Sequence, residues 1–150
     1  MNAYCTLDDL KKSMSQETLI QLSNDFSSDT IDIDNVDHAI KQACEDIDGY
    51  LRARYELPLK TTPSTLQQIA INISRYYLYA RRPEGPYLPE AVRDFYKEAI
   101  KRLEEIRDGK FTFGEAAGED QGKSIPEPGE IKVARRQRLF GMDVLGEWQS

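Results

Sequence analysis

"LQQIAINISRYYLYARR", Leu66 to Arg82, decides the fold, because its apolar residues can be placed only on a helix. At 100° per residue, Leu66, Ile69, Ala70, Ile73, Tyr76, Tyr77 and Ala80 gather within about 120° of one another. Ile71 and Leu78, seven residues apart, share the reverse face, and Tyr79 falls to one side beside Gln68 and Asn72. A helix apolar on more than one side is either central to its own domain or covered by a neighbouring subunit. Ile71, Leu78 and Tyr79 are therefore candidates for a subunit–subunit contact. Tyrosines followed by Arg81 and Arg82 also suit a stacking platform for single-stranded nucleic acid. The core stripe and a basic last turn before Pro83 account for the same residues, since positive charge there complements the helix dipole.

Outward from this helix the pattern stays helical. Thr6 and Asp9 have the spacing of a capping box, opening a short helix "TLDDLKKSM". Ser15 caps a second, "SQETLIQLSND", which turns Leu19, Ile20 and Leu22 toward a core. A third begins at Asp34, read as its N-cap, with Val36, Ile40, Ala43, Cys44, Ile47, Leu51 and Tyr55 at three- and four-residue spacing. Lys41, Glu45 and Arg52 lie on its opposite face, and Asp48 and Arg52 are spaced to pair. The tyrosine helix runs from about Ser64 to Arg81. A fifth follows Pro89, read as its first residue, and carries Val92, Phe95, Tyr96, Ala99, Ile100, Leu103 and Ile106 as one stripe. Gly109 suits the position just past its end. The only strand-like patterns are "KFTF" and "IKVA".

Only two of the nine glycines, Gly49 and Gly85, precede residue 109. The expectation is an all-α compact bundle of about five helices over residues 1–109, then an extended C-terminal linker and docking arm over 110–150. "FGEAAGEDQGKSIPEPGE" has linker composition, and apolar and basic residues return together in "IKVARRQRLFGMDVLGEW".

The formal net charge is −6 in 150 residues, unevenly spread. Residues 1–60 carry −6, 61–107 carry +2, 108–130 carry −4 and 131–150 carry +2. An acidic whole disfavours a duplex-DNA grip, whereas alternating blocks suit protein partners or self-association. No stretch approaches the roughly 20 apolar residues of a membrane helix, and the N-terminus has no signal-peptide pattern. Cys5 and Cys44 are too few for a disulfide framework and read as free thiols.

His38 is the single histidine and falls on the polar face of the third helix. No serine or cysteine then has an imidazole base, and no His-based metal cluster can form. "DIDNVD", Asp32–Asp37, lacks the glycine and one oxygen ligand of a calcium loop. "GEDQGKS" lacks both the preceding strand and the glycine spacing of a phosphate loop. No catalytic, metal or cofactor residue is assigned, no cofactor is expected, and the chain reads as a non-enzyme.

The order "YCTLDDLKK", "IDIDNVDHAIKQACEDIDGYLRARYELPL", "LQQIAINISRYYLYARR", "EAVRDFYKEAIKRLEEIRDGKFTFG" resembles the Mu-like phage head–tail joining family over about residues 3–114. "DIDGYLRARYELPL" and "ISRYYLYARR" are the most specific parts. The resemblance implies a structural subunit of the virion neck, a connector or adaptor forming a homo-oligomeric, dodecameric ring below the portal protein. Other neck or tail-completion proteins would be further partners, and DNA would be only passing cargo. The protein would be made in the host cytoplasm and end in the virion. Arg135, Arg136, Arg138, Leu139, Phe140 and Trp148 would anchor the arm on the portal or a neck partner, since arginine and aromatic side chains dominate such contacts. Asp29, Asp32 and Asp37 are candidates for lining the channel. The alternative reading is a small helical DNA-binding module, for which the best basic segment is Arg135–Arg138.

Overall fold

In a computed structural model, residues 3–26, 29–81 and 87–113 are described. Five helices follow one another: α1 (Leu7–Ser13), α2 (Gln16–Ser23), α3 (Ile33–Leu51), α4 (Ser64–Ala80) and α5 (Glu90–Arg107). Among the described residues there is no strand, and "KFTF" is irregular.

Local sequence accounts for most of the helix ends. The Thr6 hydroxyl accepts from the Asp9 N–H while the Asp9 carboxylate accepts from the Thr6 N–H, closing the capping box. Ser15 caps α2 through the Thr18 N–H. The N-cap of α3 is Asp32, two residues before the expected Asp34, because its carboxylate accepts from the Asn35 N–H at 3.1 Å. Asp34 lies instead in the first turn, where its charge still favours the helix. Pro89 stands at the N-cap of α5, one position before that expected.

α5 stops at Gly109, whose φ of 77° is a left-handed conformation that L side chains rarely adopt. The Lys110 N–H reaches back to the Glu105 carbonyl and the Gly109 N–H to the Ile106 carbonyl, a Schellman closure. A Cβ on Gly109 would also stand 1.7 Å from the Arg54 guanidinium.

α4 is the hub. It packs against α1, α2, α3 and α5, most extensively against α3 and α5. Leu66, Ile69, Ala70, Ile71, Ile73 and Leu78 are all buried, so apolar residues on both its faces have intramolecular partners. Ile71 (8% exposed) and Leu78 (0%) are thus covered by the subunit's own helices and are not surface for a second copy. Tyr79 is half-buried and packs against the same core. Ala80, read as part of the stripe, is exposed in the last turn.

The core continues past Gly109. Phe113 is buried, its N–H donates to the Tyr55 hydroxyl at 3.3 Å, and its ring meets Tyr55 at 5.5 Å and Phe111 at 5.9 Å. Packing therefore includes at least four residues beyond the expected boundary. At the other end, Tyr4 and Cys5 plug the bundle before α1 begins. The Tyr4 hydroxyl donates to the Asp48 carboxylate, which is buried among α3 residues. Asp48 is thus committed inward, and the expected pairing with Arg52 gives way to this buried bond.

Candidate interaction surface

The tyrosines of α4 meet other protein groups. Tyr76 stacks on Tyr96 of α5, with ring centroids 3.9 Å apart and planes 15° from parallel. Tyr77 donates its hydroxyl to the Asp46 carboxylate of α3 and meets the Tyr96 ring edge-on. Both are half-buried, Tyr76 bridging α4 to α5 and Tyr77 bridging α4 to α3 and α5, so their rings are engaged with protein rather than offered as a pair to nucleic-acid bases. Arg81, the C-cap of α4, donates to the Leu22 carbonyl at 3.0 Å and holds Asp25 through two nitrogens at 3.0 and 2.9 Å. It ties the segment after α2 to the end of α4.

Burial raises the proton affinity of several groups around α4. It pushes the Cys5 thiol from its ordinary 9.0 up to about 11, and the Cys44 thiol upward too. Tyr77 is raised by burial and then by its bond to Asp46, and Tyr96 by burial. Both cysteines are free and buried, with the Cys5 sulfur 3.6 Å from the Ser74 hydroxyl. In each case the folded chain holds its proton at a pH where the unfolded chain has released it. Stability is therefore full below about pH 9 and declines as pH rises. Denaturation midpoints should hold up to about pH 9 and then fall steadily toward pH 11, and a thiol reagent at pH 8 should find neither cysteine until the chain unfolds. A flat profile, or fast labelling of the native chain, contradicts this.

Among the described residues the large exposed apolar side chains are Phe26, Ile33, Tyr87 and Phe95, and two surfaces hold three of them. Between α4 and α5 runs a groove of about 520 Å³ whose lining includes Ile69, Asn72 and Arg75 on one side and Phe95, Glu98 and Arg102 on the other. Phe95, expected in the core stripe of α5, is 45% exposed here. Arg75 has a buried Nε without a hydrogen-bond partner and makes no ion pair among the described residues. Arg102 pairs with Glu105 at 3.0 Å and lies over the Phe111 ring at 4.9 Å.

The second feature lies past the C-terminal end of α4, at the segment that Arg81 holds. Phe26 is 82% exposed and Ile33 56% exposed there, flanked by exposed Asp29, Asp34 and Asp37. Of the acids expected to line a channel, Asp29 and Asp37 are exposed, while Asp32 is half-buried and engaged as the α3 cap.

His38 is exposed as expected and lines, with Asn35, Gln42, Tyr77 and Arg81, a smaller cleft of about 370 Å³ between α3 and α4. Among the described residues no group of three or more histidine, cysteine, aspartate or glutamate side chains is placed to hold a metal ion. Among them, too, no helix is long and apolar enough to cross a membrane. Arg135, Arg136, Arg138, Leu139, Phe140 and Trp148, with "IKVA", lie outside the described residues. Sequence reasoning missed the groove. Its signal was Arg75, the one charged side chain in the whole of α4.

The chain is similar to the Mu-like prophage FluMu protein gp36 of Haemophilus influenzae, with 31% identity over 114 residues, 76% of this chain and 77% of that protein. It is also similar to gene product J of Escherichia phage Mu, with 32% identity over 108 residues, 71% of this chain and 73% of that one. The family described as "Bacteriophage Mu, Gp36" matches residues 4–134, past the bundle and beyond the resemblance read from the sequence. With a family match over most of its length and relatives of this coverage, the chain belongs to the phage Mu Gp36 family.

Proposed function

We propose that this phage protein is a structural subunit of the virion neck, a head–tail connector whose copies form a ring below the portal. The observation that carries the reading is the division of the surface. Large apolar side chains are left outside at separate places, among them Phe95 in the groove and Phe26 with Ile33 past the end of α4; Tyr87, before α5, is exposed as well. Large apolar side chains exposed in company with charge mark partner-binding surface, and two such surfaces on one chain suit a head-to-tail ring. Membership in a Mu phage family supports a virion setting. The bundle is the rigid body of the ring, and Arg135, Arg136, Arg138, Leu139, Phe140 and Trp148 attach it to the portal.

Disrupting the gene in an inducible prophage tests this. Lysates should contain DNA-filled heads and complete tails that remain unjoined, with infectious particles down at least a hundredfold. A full-length copy supplied in trans should restore joining, and a chain ending at Gly114, which lacks the anchors, should not. Normal numbers of joined particles without the protein would contradict a neck role. Failure to make heads, tails or late transcripts would contradict it too and would favour a DNA-binding module.

A further inference from the structure

The groove and the apolar knob of this chain are complementary in chemistry. The groove has a half-apolar lining, Ile69 and Phe95, and a guanidinium, Arg75, without a partner among the described residues. The knob offers two exposed apolar side chains, Phe26 and Ile33, set among three exposed carboxylates, Asp29, Asp34 and Asp37. An apolar side chain entering the groove would cover Phe95, and an accompanying carboxylate would supply the charge that Arg75 lacks.

The knob cannot fill its own groove. Arg81 fastens the segment that carries it to the C-terminal end of α4. The middle of the groove, at Asn72, lies nine residues earlier, about 14 Å back along the helix axis. Nor do the later parts of the chain fit as well. Residues 131–150 carry +2 and would bring positive charge to a guanidinium, and residues 115–130 are acidic but hold Ile125 as their one large apolar side chain.

We infer that the α4–α5 groove receives the knob of a second copy of this chain, formed by Phe26 and Ile33 with Asp29, Asp34 and Asp37. The contact is heterologous, so each copy uses its groove on one neighbour and its knob on the other, and repetition closes a ring or continues as a filament. This rests on the neck reading for its biological setting and supplies the contact between copies. Arg75 and Phe95 are the groove side; Phe26, Asp29, Asp34 and Asp37 are the knob side.

Two broken-face variants of the full chain test it. R75E/F95S spoils the groove and keeps the knob; F26S/D29N/D34N/D37N spoils the knob and keeps the groove. Five of the six positions are exposed and Arg75 is half-buried, so thermal melts are run first to check that both variants fold. In sedimentation experiments the wild-type chain should grow in mass with concentration, less so at high salt. Each variant alone should stay monomeric. Their mixture should stop at a two-copy complex, because only one intact groove–knob pair is available. In parallel, a photo-reactive phenylalanine at position 95 of the otherwise wild-type chain should cross-link to residues 26–37 of another copy.

A mixture that stays monomeric, or a variant that assembles like the wild type, overturns the contact. So does a cross-link from position 95 to residues 115–130 of the same chain or to another virion protein. None of these outcomes touches the neck reading, which the prophage disruption decides separately.

Discussion

Replacing Tyr4 by alanine lowers the unfolding free energy by about 3–5 kcal/mol, the usual cost of removing a large buried ring. It also leaves the buried Asp48 carboxylate without this donor, adding a penalty of about 1–3 kcal/mol. For a domain of this size, total stability is on the order of 5–15 kcal/mol, so the variant is close to unfolding at ambient temperature. Tyr4→Phe separates the two contributions, since it keeps the ring and removes only the hydroxyl. Its expected cost is about 1.5–3 kcal/mol, the range for a hydrogen bond to a charged group. Adding Asp48→Leu to Tyr4→Phe should recover most of that loss, because a buried pair with both polar partners removed is nearly neutral. Urea denaturation of the four chains is the measurement. Equal stability of Tyr4→Phe and the parent would show that the Asp48 bond contributes nothing net.

Leu78→Ala should cost about 2–5 kcal/mol, a fall in melting temperature of roughly 4 °C or more per kcal/mol. Leu78 is fully buried on the reverse face of α4, covered by the subunit's own helices. The loss must therefore show in a dilute monomer and be independent of concentration. If Leu78 worked between subunits instead, the monomer's melting temperature would not move and only assembly would weaken. Tyr79→Ala, at a half-buried site, should cost well under half as much.

The helical identity of all five elements was legible because each repeats its apolar residues at helical spacing, and Thr6, Ser15 and Gly109 mark ends through local chemistry that needs no tertiary partner. What escaped depended on other elements. The reverse face of α4 could be central or covered by a neighbour, and only the positions of the other four helices decide between these. Asp48 has the right spacing for Arg52, yet Tyr4, forty-four residues away, claims it. Asp32 outcompeted Asp34 as the α3 cap because both have suitable side chains and the start of a helix is set by where the chain enters it. Phe111 and Phe113 sit after a helix stop and read as linker, but Tyr55 and Arg102 give them partners. The candidate site was the least legible part. Phe95 falls on the apolar stripe of α5 by angle, and its exposure follows from the spread between α4 and α5, which no single-helix pattern contains.

The central place of α4 also sets an order of events during synthesis. Helices α1 and α2 both pack on α4, and α3 finds in it one of its two largest partners. The roughly thirty residues from Arg52 to Arg81 must be added after α3 is complete, which takes about 1.5–6 s at 5–20 residues per second. For those seconds three helices have left, or are leaving, the ribosome with their apolar faces unmatched. The nascent chain is then most open to capture by a chaperone or by another nascent copy. Closure follows when the segment from Leu66 to Leu78 emerges.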